Sequence, residues 1–536
     1  MRYKIILKVG EETEVLTEAF PNKSIEIIQR GNNIKLRLIA PRDLTILDAK
    51  IYYKYKFHHS SKMFLNGYQS WTDSYEYNYN GRMRDAKRLP GPLNKAYNFD
   101  MYGDAHFTKY IRRHIHGFDF AYIKDKKNPI SISTNNYMNA FLLIDYSYRH
   151  NKIRLISDCA GKTLKKGEEF TLFDYDFNDN IESMMNNYNN PIEAKKIFGY
   201  TSWYNHYQNI DSQIVSSCLD ALDSRFNLFQ IDDGYETFVG DWLDIDKKKF
   251  PSGLEGLVKK AHDKNLLAGI WLAPFVAETK SNLFNEHPEY FVKDDSGNPI
   301  RCGGNWSGFY ALDMKQDVVR NYIKKCLEYY MDMGFDFFKL DFLYALGVKD
   351  FDSQTRAERT IDGYKFLRSV LKDKLILGCG ACLTPAYGLF DYMRIGPDVS
   401  LKFDDVFYMK FMHRERISTK VTLRNTIYRS VFDNKLFKND PDVFLLRDDN
   451  IELSFEQRKA LITINALFGS VLMTSDDIHT YDDEKKKLLD YAFNLYNNAT
   501  NKSYQKKKNR IIIKYSLDAK THELVYYTHK GIIEEK

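Results

Sequence analysis

Three short segments put carboxylates where chemistry could occur. Residues 335–341 read Phe-Asp-Phe-Phe-Lys-Leu-Asp. In an extended chain Lys339 and Asp341, two residues apart, project to one side. A cation beside a carboxylate favours its charged form, as a nucleophilic aspartate requires. On spacing alone the pair serves equally as a structural ion pair. Residues 392–398 read Tyr-Met-Arg-Ile-Gly-Pro-Asp. Gly396-Pro397 ends a strand and opens a loop, leaving Asp398 at its mouth, with Arg394 placed to hold a hydroxyl or a carboxylate. Read alone, Asp398 is a helix cap. Residues 228–235 read Leu-Phe-Gln-Ile-Asp-Asp-Gly-Tyr, so Asp232 and Asp233 also follow a strand, with Gly234 permitting a sharp turn. Adjacent ionised carboxylates need partners. Sugar hydroxyls are suitable donors, whereas a metal would need a histidine or further acid at ligand spacing that is not nearby.

Other candidates carry less chemistry. Cys379-Gly-Ala-Cys382 has C-x-x-C form without the second pair of a zinc knuckle or a thioredoxin-like context, so these thiols are expected to line or support a pocket. His114 and His116 fall in a β region and read as structural. Trp71, Trp203 and Trp271 lie in polar or strand-end segments. Tryptophan is usually core, and it also suits stacking on the apolar face of a sugar.

The elements that must position these groups follow from hydrophobic period. Up to about residue 190 short runs alternate apolar and polar, as at 34–39, 47–55, 118–124, 130–134, 140–146, 152–157 and 170–177, which predicts an antiparallel sandwich. From about 195 strands alternate with helical stretches: strands 198–203, 228–232, 266–273, 335–341, 375–379 and 392–395, helices 210–222, 254–263, 317–333 and 356–371. Repeated βα units over about 280 residues predict a (β/α)8 TIM barrel, a fold of about 250 residues whose active site lies at the C-terminal ends of its strands. A doubly wound sheet would show a Gly-rich phosphate turn, and neither G-x-G-x-x-G nor a P-loop occurs. Strands 510–515 and 523–528 predict a small C-terminal β domain. The expected layout is a multidomain α/β and β chain: an N-terminal β-sandwich over 1–190, the barrel over 191–475 and a β domain over 476–536.

Composition narrows the function. The chain has 536 residues, 43% hydrophobic and 28% charged, which excludes a disordered protein. No run approaches the roughly 20 apolar residues of a membrane span. The net charge of +6, from 78 basic and 72 acidic residues, is too dilute for nucleic acid. Six scattered cysteines and a charge-broken N-terminus lead to the expectation of a cytoplasmic protein with reduced thiols. G-x-S-x-G and H-E-x-x-H are missing. A barrel mouth with two carboxylates and aromatic walls is the layout of a glycosidase.

Six segments in order carry a family likeness: Asn66-Gly-Tyr-Gln-Ser-Trp71, Gly199-Tyr-Thr-Ser-Trp203, Gln230-Ile-Asp-Asp-Gly234, Gly269-Ile-Trp-Leu-Ala-Pro-Phe275, Lys339-Leu-Asp341 and Arg394-Ile-Gly-Pro-Asp398. With them the chain resembles the bacterial α-galactosidases of glycoside hydrolase family 36, the melibiase group. The resemblance implies retaining hydrolysis of terminal α-galactose, as in melibiose or raffinose. It implies Asp341 as nucleophile and Asp398 as general acid/base, with Asp232 and Asp233 on the sugar's 4- and 6-hydroxyls. Lys339, Cys379 and Arg394 would line the pocket, Trp203 and Trp271 would form walls, and Trp71 would reach over from the N-terminal domain. No metal or organic cofactor is implied. The partners are a small oligosaccharide and, as the family often forms tetramers, further copies of the chain, with no nucleic acid or membrane. The family's usual Trp-Asp-Met-Asn is here Leu340-Asp341-Phe342-Leu343, a variant of shorter members. Retention requires the two carboxyls roughly 5–5.5 Å apart and a raised pKa on Asp398, which a close Arg394 would oppose. The rival readings are an α-N-acetylgalactosaminidase, separated at the sugar's 2-position near Cys379 and Arg394, a galactosyl transferase, and a non-catalytic carbohydrate-binding protein.

Overall fold

Alternating burial builds the N-terminal region. Along the strand Asn33–Ile39, Ile34, Leu36 and Leu38 are buried while Lys35 and Arg37 stay partly exposed. Repeated over many strands, this produces two seven-stranded antiparallel sheets. Their inward faces share one apolar core that includes Ile5, Ile46, Leu36, Ile132, Ile144 and Leu155. The computed structural model describes residues 1–19, 23–349 and 353–536. The expected strands 130–134 and 152–157 match Ile130–Thr134 and Lys152–Ser157.

The next region is a parallel sheet. Its strands, numbered within this sheet, are β1 Ile197–Thr201, β2 Leu228–Ile231, β3 Leu267–Leu272, β4 Phe337–Leu340, β5 Leu375–Gly378, β6 Tyr392–Arg394, β7 Lys438–Asp440, β8 Val443–Phe444 and β9 Val471–Thr474. They are almost wholly buried and, apart from β7, mostly apolar, as a sheet covered on both faces demands. Neighbours run β7-β6-β5-β4-β3-β2-β1-β9-β8. The two ends of that path, β7 and β8, are separated in sequence only by Pro441 and Asp442. The Ser470 N–H, just before β9, donates to the Asn439 carbonyl on β7 at 2.8 Å. The sheet therefore curls until its ends meet.

Helices cover the outside, and their starts are written locally. The helix Arg356–Leu371 opens with a capping box in which Thr355 and Glu358 satisfy each other's backbone N–H groups, and Phe455–Phe468 repeats it with Ser454 and Gln457. Two expected strands end early. The 198–203 strand stops at Thr201 and Trp203 begins a short helix, Trp203–His206. The 335–341 strand is only Phe337–Leu340, which leaves Asp341 on the turn beyond it. Past residue 476 the chain forms a short 3-10 turn, Ile478–Thr480, and the helix Asp483–Asn498, and a four-stranded antiparallel sheet follows over 500–535. Among the described residues no helix is long and apolar enough to cross a membrane.

One buried cation ties the sandwich to the parallel sheet. Arg429, fully buried, donates from Nε to Asn66 Oδ1 at 2.9 Å, from Nη2 to the Gln69 carbonyl at 3.0 Å and from Nη1 to the Ile395 carbonyl at 2.8 Å, and it also reaches the Ser70 carbonyl. It thus fixes the loop that carries Trp71 against the loop that carries Asp398. Burial pulls its pKa down to about 9, which still leaves it charged at neutral pH. Arg429→Met should leave several buried carbonyls without donors and cost about 3 kcal/mol or more. Urea unfolding checks this, and a loss below about 1 kcal/mol would deny Arg429 that role.

Candidate active site

The C-terminal ends of β1, β2, β3, β4 and β6 open into a cavity of about 490 Å³, within the usual range for small ligands. Trp71, Trp203, Asp232, Asp233, Trp271, Lys339, Asp341 and Asp398 all line it. Eight of the ten residues singled out in the sequence therefore meet at one site. The other two do not reach its wall: Cys379 and Arg394 are buried behind it.

Asp232 follows β2 directly. Its Oδ2 accepts from Lys339 Nζ at 2.8 Å, Gln230 Nε2 at 2.7 Å and Thr201 Oγ1 at 3.1 Å. The Lys339 cation thus pairs with Asp232, not with Asp341 as the two-residue spacing implied. The reason is the early end of β4: Asp341 turns away at the strand's end and takes other donors. Asp233 accepts from Trp306 Nε1 at 2.9 Å and Gln208 Nε2 at 3.0 Å. The turn requires glycine, for Gly234 has φ +118° and an added Cβ would lie 2.7 Å from the Gln208 backbone.

Asp341 Oδ2 accepts from Trp271 Nε1 at 3.0 Å and Oδ1 from the Phe342 N–H at 2.8 Å. Burial raises its pKa. Lys339 and these donors pull it back down, and Asp398 pushes it up. The helix-cap alternative for Asp398 does not apply, since the next helix, Phe407–Met412, begins after Val406. Its side chain, about one third exposed, lies 3.0 Å from Arg394 Nη1. The expected closeness of Arg394 is thus real. Trp71 arrives from the sandwich loop and packs on Phe342, Tyr344 and Tyr102. Its approach depends on Gly380, where a Cβ would meet the indole at 2.8 Å. The buried Trp71 Nε1 has no hydrogen-bond partner among the described residues.

Several lining residues escaped the sequence. Gln208, Trp306, Asn305, Phe99, Tyr102 and the 405–417 loop carry no strand-end signature. Glu236 was readable only in retrospect, two residues past Gly234. Burial and the neighbouring Asp233 push its pKa well up, and burial also raises that of Asp233. His114 and His116 bond Asp145 and Asp104 in the sandwich, as structural residues do. All six cysteines are free and buried. Among the described residues no group of three or more His, Cys, Asp or Glu is arranged to hold a metal ion.

Comparisons with known proteins agree with this layout. The melibiase family model matches residues 177–370. Alpha-galactosidase 1 of Pediococcus pentosaceus is 32% identical over 111 residues, 19% of this chain and 14% of that protein. The A type blood α-D-galactosamine galactosaminidase of Flavonifractor plautii is 34% identical over 143 residues, 25% of this chain and 13% of that protein. The matched stretch therefore spans about a seventh of these relatives. In fold, the chain is similar to the α-galactosidase TtGalA from Thermus thermophilus, with a TM-score of 0.72 at 22% identity over 97% of this chain and 98% of that one. It is also similar to the family 36 α-galactosidase AgaA from Geobacillus stearothermophilus, with a TM-score of 0.61 at 12% identity over 98% of this chain and 74% of that one. Motifs, sheet and family match agree: residues 177–370 match the melibiase family model, and the chain is similar in fold to solved α-galactosidases.

Proposed function

We propose that the protein is a retaining exo-α-galactosidase that removes terminal α-linked galactose from small oligosaccharides such as melibiose or raffinose. The observation that carries this reading is that Asp341 and Asp398, from the ends of different strands, line one cavity with paired acceptors and aromatic walls. On this reading the layout is an N-terminal sandwich over 1–190, a (β/α)8 barrel over 191–475 and a C-terminal domain over 476–536. TtGalA, similar in fold, was solved with p-nitrophenyl α-galactoside and with stachyose, which supports this substrate class. Six free thiols suit a reducing cytoplasm.

Asp341 attacks the anomeric carbon while Asp398 protonates the departing oxygen. The C–O bond to the aglycone breaks and a β-galactosyl ester forms on Asp341. Asp398, now ionised, takes a proton from water, whose oxygen attacks the same carbon and frees Asp341. Two inversions preserve the α configuration. Asp232 and Asp233 accept hydrogen bonds from sugar hydroxyls, Trp71 reaches over from the sandwich loop, and Trp203 and Trp271 cover apolar sugar faces.

Asp341→Gly should lower turnover of 4-nitrophenyl α-galactoside by on the order of a thousandfold or more, and added azide should yield the β-galactosyl azide. Asp398→Ala should cost about 10²–10⁴ on melibiose and much less on the nitrophenyl substrate, whose leaving group needs little protonation. Near-wild-type activity in either variant would sink these roles. A 2-acetamido substrate hydrolysed faster than the plain galactoside would favour the α-N-acetylgalactosaminidase reading, and sugar acceptors outcompeting water the transferase reading.

The donor from Trp271 also sets a pH dependence. Asp341 must be ionised to attack, and loss of the indole N–H raises its pKa further. Trp271→Phe should therefore move the acid limb of kcat/KM to higher pH by about one unit. An unmoved limb would mean that this hydrogen bond does not tune Asp341.

A further inference from the structure

Arg394 ends β6 and is 3% exposed. Its guanidinium touches three carboxylates: Asp398 Oδ1 at 3.0 Å through Nη1, Asp440 Oδ2 at 2.9 Å through Nε, and Asp442 Oδ1 at 2.9 Å through Nη2. Only Asp398 reaches the cavity, and Asp440 and Asp442 are buried behind it. The backbone is bent to bring them there. β7 stops at Asp440, Pro441 intervenes, and Asp442 takes φ +75°, a conformation that side-chain-bearing residues seldom adopt. Asp442 Oδ2 accepts from the Val399 N–H at 2.7 Å and from the Tyr204 hydroxyl, and Asp440 Oδ1 accepts from the Asp442 N–H at 2.9 Å. No donor is aligned on Asp442 Oδ1, although the guanidinium lies beside it.

A guanidinium with one carboxylate holds it ionised. That would defeat Asp398 in the first half of a double displacement, where it must hold a proton. Three carboxylates on one guanidinium change the sum, because the cation is overdrawn and its pull on any one of them is largely cancelled. We propose that Asp440 and Asp442 are positioning residues that neutralise Arg394, so that Arg394 orients the Asp398 carboxyl without fixing it as an anion. The inference rests on the reading of Asp398 as the general acid/base. Burial raises Asp442 to about 7, with Arg394 pulling down and Asp398 and Asp440 pushing up. As pH rises through that value Asp442 ionises, which adds a negative charge beside Arg394. The groups facing Asp442 are Tyr204 from the helix Trp203–His206, Arg394 from β6, Asp398 from the following loop and Asp440 from β7. Lys339 on β4 also feels the Arg394 charge.

The test compares kcat/KM against pH for melibiose and for 4-nitrophenyl α-galactoside in the wild type, Asp442→Asn and Asp440→Asn. Asp440→Asn removes one anion from Arg394 at nearly constant size, and Asp442→Asn does so above the pH at which Asp442 ionises, so in that range Asp398 should lose its proton at lower pH. The alkaline limb should shift by about one unit to the acid side, and melibiose should lose about tenfold more than the nitrophenyl substrate. A uniform fall at every pH with an unmoved limb, equal on both substrates, would overturn the proposal while leaving the function intact. Should one variant fail to fold, the other is read in the same way. A folded wild type that cleaves neither substrate would refute the function itself and this inference with it.

Discussion

The site is built on more carboxyl groups than cations. Asp232, Asp233, Glu236, Asp341, Asp398, Asp440 and Asp442 lie around two cations, Lys339 and Arg394. Carboxylates that leave water without enough positive partners hold protons instead. The upward shifts of Asp233, Glu236, Asp341 and Asp442 all have burial as their largest cause. Such a floor is poorly matched to a neutral ground state. It suits a reaction in which the bound ring gains positive charge, since the fixed carboxylates need not reorganise when that charge appears.

The rest of the fold keeps these groups from relaxing. Parallel strands are short and buried on both faces, so a residue one place beyond a strand end has little freedom. Helices outside the sheet start at local caps, and the strand break at Pro441 aims two further carboxylates at Arg394. The sandwich contributes through contact: its 66–71 loop is clamped by Arg429 and carries Trp71 over Gly380 and the Asp341 turn.

Much of this was legible because it follows from period and strand-end position. The alternation at 34–39 and the capped helix 356–371 announced their elements directly. Asp232, Asp233, Asp341 and Asp398 stood out because each follows an apolar run that could only be a strand. What failed was partner choice. The spacing of Lys339 and Asp341 implied a pair, but β4 ends one residue too soon, and the lysine meets Asp232, which is 107 positions away in sequence. Cys379 and Arg394 were placed on the wall by the family resemblance, and in this chain both sit behind it. Trp306 and the 405–417 loop reach the cavity by long-range packing that no local pattern encodes.

The most direct measurement is covalent trapping: incubation with 5-fluoro-α-galactosyl fluoride, proteolysis and mass spectrometry of the peptides. If the carboxyl-rich floor serves a double displacement, one galactosyl-derived adduct forms, on the peptide bearing Asp341 and on that side chain. Time-dependent inactivation with the adduct on Asp398 or another residue, or turnover without any covalent species in a burst experiment, would contradict the account.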